Sequence, residues 1–249
     1  MKTNIIEIFS SVQGEGKYVG CRQIFVRFEG CNLDCKYCDT EHAVGTHSFC
    51  HLETGADTEI YAKKMNPLSA AGVAAIIRSF CAETPHQAVS FTGGEPLFHA
   101  AFIKEVREKL AAEGKIFPLF LLETNGTLYQ ELYAVWDAVD IISMDIKLPS
   151  MLDREYWEEH ASFLKLAKTK DLYVKIVVSD ATTEKEFQHA VDMLAKISPE
   201  TLLILQPVTP VNNVLPMDTK SLLKFQSYAL RCLQDVRVIA QTHRMLNLA

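Results

Sequence analysis

The stretch Gly30-Cys31-Asn32-Leu33-Asp34-Cys35-Lys36-Tyr37-Cys38-Asp39-Thr40 places three cysteines at C-x3-C-x2-C spacing. That spacing draws three thiolates into one tight loop, enough to grip three corners of an iron-sulfur cube and leave the fourth iron open to a small molecule. Cubes that only carry electrons are usually held by four cysteines. Here the nearest further cysteines, Cys21 and Cys50, do not continue the short spacing. Zinc is the competing reading, since Cys3His sites are common and His42 follows closely. Structural zinc usually arrives as paired C-x2-C units, however, and this loop has one pair and an outlier.

Outward from that loop, short apolar runs alternate with amphipathic stretches. Residues 23–28, 88–91, 119–122, 141–144, 173–178, 202–205 and 236–239 read as buried strands. Between them, Val73/Ile76/Ile77/Phe80, Phe102/Ile103/Val106/Leu110, Phe187/Val191/Leu194 and Leu222/Leu223/Leu230/Leu233 recur at helical spacing. Strand and helix taking turns predicts an α/β fold built of βα units on a parallel sheet. A full eight-unit barrel takes roughly 250 residues without additions. This chain of 249 residues spends a long stretch before its second strand, so it is expected to close only part of one. Residues 41–66 form the one irregular insert, carrying His42, His47, Cys50 and His51. Those four soft ligands suit a second metal; a solvated loop with incidental histidines is the plainer reading. With no internal repeat, low-complexity tract or linker, residues 1–249 read as a single domain.

Composition narrows the function. A net charge of −6 and a pI near 5.8 argue against a non-specific nucleic-acid or membrane-surface binder, which needs a basic face. The first residues carry no apolar stretch long enough for a signal peptide, and no segment approaches a membrane span. Seven cysteines, an odd number unevenly spaced, suit a reducing cytoplasm better than a disulfide framework. A small-molecule substrate is expected.

In parallel barrels reactive groups sit where strands end and loops begin. At those places stand Arg27, the run Thr92-Gly93-Gly94-Glu95-Pro96, the run Glu123-Thr124-Asn125-Gly126, then Asp145 with Lys147, Gln206-Pro207 and His243, while Lys175 lies within the fifth strand. Each has a plain structural reading: a tight turn at Gly93-Gly94, a surface ion pair at Asp145 and Lys147, a helix cap at Thr40. One rim nevertheless collects nearly all the candidate chemistry.

C-x3-C-x2-C with Tyr37 before its last cysteine resembles the signature of the radical S-adenosylmethionine superfamily, whose usual fold is a partial (β/α)6 TIM-like barrel. The resemblance implies a [4Fe-4S] cluster on Cys31, Cys35 and Cys38, with S-adenosylmethionine chelating the open iron and supplying a 5'-deoxyadenosyl radical. It implies cofactor contacts from Tyr37, Cys38, Asp39, Gly94 and Glu95, the last countering the ammonium. Ser143, Met144, Asp145 and Lys147 would serve the ribose hydroxyls and methionine carboxylate, and Gln206 the adenosyl group.

The opening Phe9-Ser10-Ser11-Val12-Gln13-Gly14-Glu15-Gly16, with Arg27, Cys38-Asp39-Thr40, Thr92-Gly93-Gly94-Glu95-Pro96 and Gln241-Thr242-His243-Arg244, resembles the 7-carboxy-7-deazaguanine synthase family. That family contracts the ring of 6-carboxy-5,6,7,8-tetrahydropterin with loss of ammonia, a lyase reaction. The resemblance implies a pterin edge read by Val12, Gln13, Gly14 and Glu15, a substrate carboxylate on Arg27, a contact from Thr92, and closure by His243 and Ala249. It also implies Mg2+ on Thr40, an electron donor such as flavodoxin, and a cytoplasmic homodimer. Two rivals stay open: a glycyl-radical-enzyme activase acting on a protein glycine, and a non-enzymatic zinc-binding protein.

Overall fold

A computed structural model describes residues 1–38, 46–56, 58–112, 117–246 and 248. The chain opens with β1 (Lys2–Thr3) and β2 (Ile5–Val12), followed by β3 (Arg22–Phe28), the hairpin β4 (Phe49–Glu53) and β5 (Tyr61–Met65), β6 (Leu68–Ser69) and α1 (Ala70–Glu83). Next come β7 (Ala88–Gly93), α2 (Ala100–Ala111), β8 (Leu119–Thr124), α3 (Tyr129–Val135), β9 (Ile141–Asp145), α4 (Pro149–Leu152) and α5 (Trp157–Ala167). The chain closes through β10 (Asp171–Val178), α6 (Glu184–Ile197), β11 (Leu202–Pro207), α7 (Thr219–Ala229), β12 (Val236–Val238) and α8 (Thr242–Leu246).

One sheet runs in the order β12-β11-β10-β9-β8-β7-β3-β2-β4-β5. From β3 to β12 every neighbouring pair is parallel, whereas β2 runs antiparallel to β3. The six strands β3 and β7 to β11, each leading to a helix, form the expected partial (β/α)6 barrel. Successive strand side chains point to opposite faces, and here both faces are used. Ile24, Val26, Phe28, Phe91, Phe120, Leu122, Ile142, Val174 and Ile176 pack outward with the helices in the main core. The residues between them face the concave side, where Ala88, Leu121, Ile141, Tyr173, Leu202 and Ile204 form a smaller apolar floor. Buried rings knit the outer layer: Phe91 meets Phe120 edge-on at 4.7 Å between centroids, and Phe187 stacks on Phe225 at 4.2 Å.

One expectation needs correction. Residues 41–66 are not an irregular insert: their later half forms the β4–β5 hairpin, which extends the sheet through a parallel β2–β4 pairing. The physical reason is alternation, since Cys50 is fully buried in the main core while His51 is exposed on the opposite face. His47 is tied to Glu29, whose carboxylate accepts its backbone N–H at 2.8 Å, and among the described residues no group of three His, Cys, Asp or Glu that could hold a metal ion includes His47, Cys50 or His51; His42 lies outside the described residues. The opening run 9–16 begins as strand, its first half completing β2 before the chain turns at Gln13. Helices α3 and α5 add to the four stripes read from the sequence. Among the described residues no helix is long and apolar enough to cross a membrane.

Helix α6 begins with a reciprocal cap: Thr183 Oγ1 accepts from Glu186 N at 3.3 Å, and Glu186 Oε1 accepts from Thr183 N at 2.6 Å. Thr183→Ala is expected to cost about 1 kcal/mol of folding stability in urea denaturation, with the midpoint lowered and the denaturant slope unchanged.

Candidate active site

The cysteine loop leaves β3 and is pinned against the next strand end by backbone. Gly94 N donates to Phe28 O at 3.1 Å and Glu95 N to Gly30 O at 2.7 Å. This approach requires glycine, because a Cβ on Gly94 would lie 1.9 Å from the Gly30 carbonyl oxygen. A polar latch from the third strand end secures the other side: Asn125 Nδ2 donates to Asn32 Oδ1 at 2.8 Å and reaches Cys31 Sγ at 4.0 Å, while Asn32 Nδ2 donates to Thr127 Oγ1 at 2.8 Å. Further along, Lys36 N donates to Met151 O at 3.1 Å and Cys38 N to Cys35 O at 2.9 Å.

The thiols of Cys31, Cys35 and Cys38 line one cavity of about 400 Å³. Burial pushes the Cys31 and Cys35 thiols up, so a cationic partner is needed to hold them as thiolates. An iron cluster supplies that charge, and the three-sulfur donor set fits it. Among the described residues no three His, Cys, Asp or Glu side chains converge closely enough to chelate a single metal ion.

The same cavity collects the expected substrate contacts Val12, Gln13, Gly14, Glu15, Arg27, Thr92 and His243. It also takes in Tyr37, Gly94, Asp145 and Lys147 from the expected cofactor set. Gln206 lines an adjoining chamber of about 640 Å³, which shares Arg27, Asp145 and Lys147 with the first. Its Oε1 is buried without a hydrogen-bond partner, whereas Asp145 Oδ1, which accepts no hydrogen bond, faces Lys175 Nζ at 3.4 Å. An orphaned buried acceptor at Gln206 suits a ligand rich in donors, as a ribose is.

Three residues are placed differently from expectation. Glu95 is fully buried beneath the cavity, with Oε1 accepting from Thr124 Oγ1 at 2.8 Å and Leu97 N at 3.0 Å, and Oε2 from Asn125 N at 2.8 Å. Burial pushes its carboxyl up to about 7. It acts here as a brace between two strand ends. Met144 packs in the outer core, its side chain filling the space that the absent Cβ of Gly126 leaves. Ser143 lies below the cavity, level with Tyr173 of the neighbouring strand. Asp39, Thr40 and Ala249 lie outside the described residues.

The structure adds partners that the sequence reading passed over. Glu123, noted only as a strand end, lines the cavity and accepts from Gln13 Nε2 at 2.7 Å, Ser90 Oγ at 3.0 Å and Thr92 Oγ1 at 2.9 Å. Arg27 is held by Glu7, with Nε donating to Oε1 at 2.6 Å. Phe9 and Phe25 stack at 5.1 Å and 13° to form an apolar wall. Strand parity was the available signal, since Gln23, Phe25 and Arg27 share one face with Ser90, Thr92 and Glu123. At the far side Thr242 N donates to Gly14 O at 2.9 Å, and His243 packs so closely that a Cβ on Gly14 would lie 2.2 Å from its Nδ1.

These features define a radical S-adenosylmethionine protein, and residues 25–194 match the family model described as the Radical SAM superfamily. The chain is 39% identical to the 7-carboxy-7-deazaguanine synthase of Geobacter sulfurreducens over 96% of its length and 95% of the relative's. It is 35% identical to that of Methanocaldococcus jannaschii over 98% and 99%. The chain belongs to the 7-carboxy-7-deazaguanine synthase family. The crystal structure of QueE from Escherichia coli shares the fold, with a TM-score of 0.62 at 20% identity over 97% of this chain and 94% of that one.

Two expected outcomes follow from the loop's supports. Gly94→Ala should fold yet lose most of its iron on anaerobic reconstitution, read as iron per chain, because the added Cβ drives the cysteine loop off the strand end. His160 supports the Asn125 latch, its Nε2 lying 3.1 Å from Asn125 O while Nδ1 is buried without a partner. Burial pulls this histidine down to about 4 from 6.5, so the unfolded chain binds the extra proton first. Its contribution to stability is complete above pH 6.5 and is lost as pH falls toward 4. In urea titrations across that range, His160→Gln should lose less stability than the parent.

Proposed function

We propose that this chain converts 6-carboxy-5,6,7,8-tetrahydropterin to 7-carboxy-7-deazaguanine with release of ammonia, as a radical S-adenosylmethionine lyase working as a single domain over 1–249. The observation that carries the reading is one cavity walled on one side by the three-thiol loop and on the other by Gln13, Glu15 and Arg27, in a chain matched along its length by synthases of that name. When bound, the reduced cluster and S-adenosylmethionine supply the radical that takes a hydrogen atom from the substrate.

The chain's own residues bind, orient and shield. Arg27, fixed through Nε by Glu7, is the bidentate cation for the substrate carboxylate. The loop at 12–15 reads the heterocycle's polar edge, where an unpaired buried group costs about 1–3 kcal/mol. Gln13 is held for that work: its Nε2 donates to Gln23 Oε1 at 3.1 Å and to Glu123, and its Oε1 accepts from Glu15 N at 3.0 Å. Thr92 is aimed by Glu123. The Phe9–Phe25 stack offers a planar ring an apolar wall and keeps water from a radical. His243 closes the opposite side, and Ala249 is a further proposed substrate contact.

On the cofactor side, Asp145, Lys147, Tyr37, Gly94, Gln206 and Asp39 are the proposed contacts. Lys147 is held by Asp145 Oδ2 at 2.7 Å and lies 5.2 Å from the centre of the Tyr37 ring. Thr40 is the proposed protein ligand to a Mg2+ that also meets the substrate carboxylate, a site with few protein ligands of the kind magnesium favours. A cytoplasmic homodimer reduced by a flavodoxin-type donor completes the proposal.

Reduced, reconstituted protein given the carboxypterin, S-adenosylmethionine and Mg2+ should form the deazaguanine, detected by mass. Absence of that product from cluster-loaded protein would overturn the reading. Arg27→Ala should lower kcat/KM by about a hundredfold or more, the scale of removing one partner of a buried charge pair, with cluster absorbance unchanged. Chelating Mg2+ should lower turnover without removing iron.

A further inference from the structure

We propose that Lys175 is a positioning residue that ties the substrate-reading loop to the cofactor-holding strand end, so that one buried ammonium links the two ligand sites. The inference rests on the proposed pterin reading of the 12–15 loop and deepens it. Lys175 comes from the middle of β10, where lysine is poorly suited to a strand buried on both faces. Its side chain is only 7% exposed. Nζ donates to Glu15 Oε2 at 2.6 Å and stands 3.4 Å from Asp145 Oδ1.

Those two carboxylates belong to different functional elements. Glu15 follows Gln13 and Gly14 in the loop that leaves β2, and its other oxygen accepts from Gln241 Nε2 at 2.7 Å. Its carboxylate is thus engaged by Lys175 and Gln241, and the side chain shapes the loop. Asp145 ends β9, and its second oxygen holds Lys147. A continuous chain of contacts runs Gln241, Glu15, Lys175, Asp145, Lys147, Tyr37, from the C-terminal segment to the cysteine loop.

Register explains why lysine stands here. Lys175 pairs directly with Asp145 across the β9–β10 ladder, so the two side chains share the concave face. Burial works against its charge, yet Asp145, Glu15 and Glu123 hold the ammonium well above its ordinary value. Burial likewise works against the Glu15 charge, and Lys175, with smaller help from Gln241 and His243, brings that carboxyl down to about 2. Without the ammonium two carboxylates would face each other in a buried cavity, and removal of one partner of a buried pair costs far more than the pair's net worth. Relief would come by movement of the loop, of Asp145, or of both.

The test is equilibrium binding on the anaerobically reconstituted protein, with the carboxypterin and S-adenosylmethionine titrated separately and together. Lys175→Met should weaken both ligands by about tenfold, within the range of typical site-to-site couplings, while iron per chain is unchanged. Lys175→Arg, which keeps the charge, should recover most of the loss. Glu15→Gln should weaken S-adenosylmethionine although Glu15 stands across the ammonium from Asp145, and in the Lys175→Met background it should add little further. Wild-type affinity for both ligands in Lys175→Met, identical behaviour of methionine and arginine, or additive effects of the two substitutions would overturn the linkage. If Lys175→Met fails to load iron, Glu15→Gln decides alone: weakened S-adenosylmethionine supports the link and unchanged affinity overturns it. A wild-type protein that makes no product, or an Arg27→Ala variant that binds the carboxypterin normally, would instead defeat the underlying reading of the site.

Discussion

The structure depends on a close backbone contact between two loops that are far apart in sequence. Gly94 lies against the Gly30 carbonyl with no space for a side chain, and two backbone hydrogen bonds seal the join. That contact sets where the cysteine loop leaves the barrel and so which way its thiols face. Everything else at the rim is arranged about that loop: the Asn125–Asn32 latch beside it, the buried Glu95 brace beneath it, and Lys147 over Tyr37 above it. Glu95, drawn by sequence likeness toward a ligand's ammonium, serves in this geometry to hold two strand ends together. The strand-end turn Thr92-Gly93-Gly94-Glu95-Pro96 therefore works as much on the loop's position as on any cofactor.

A second constraint is the period of two along strands buried on both faces. One parity builds the apolar layer under the helices, while the other delivers Arg27, Thr92, Glu123, Asp145, Lys175 and Gln206 to a single concavity. Packing so many charges together is costly unless each is paired. Pairing is what the cavity shows: Arg27 with Glu7, Lys175 with Glu15 and Asp145, and Lys147 with Asp145. One acceptor left unpartnered, Gln206 Oε1, lies on the cofactor side. Preorganised polar groups of this kind orient a ligand without rearrangement when it binds.

Much of this was legible in the sequence because the apolar strands of a parallel sheet are unambiguous runs. All seven strands read from residues 23–28 through 236–239 exist; the first six are lengthened, in places by polar residues such as Thr92 and Thr124 that extend the ladder, and the last is one residue shorter. The cysteine spacing and strand-end motifs likewise located the site. The β4–β5 hairpin was harder to see, since the fully exposed Tyr61–Met65 strand shows little alternation and two adjacent lysines. Helix α5 was missed because His160, a polar residue by type, is a buried member of its inner face. Pairings such as Glu7 with Arg27 and Glu15 with Lys175 depend on register between strands distant in sequence, which spacing along one strand does not encode. Sequence likeness named Met144 as a ligand contact, but parity turns its side chain into the outer core.

The central claim is that three cysteines leave one iron of the cube open to S-adenosylmethionine. The most direct measurement is electron paramagnetic resonance of the anaerobically reconstituted, reduced protein before and after addition of S-adenosylmethionine. This account predicts a reduced-cluster signal whose shape and position change when the cofactor is added, with Cys31, Cys35 and Cys38 each needed for the signal. A protein without iron, or a cluster signal that S-adenosylmethionine leaves unaltered, would contradict it.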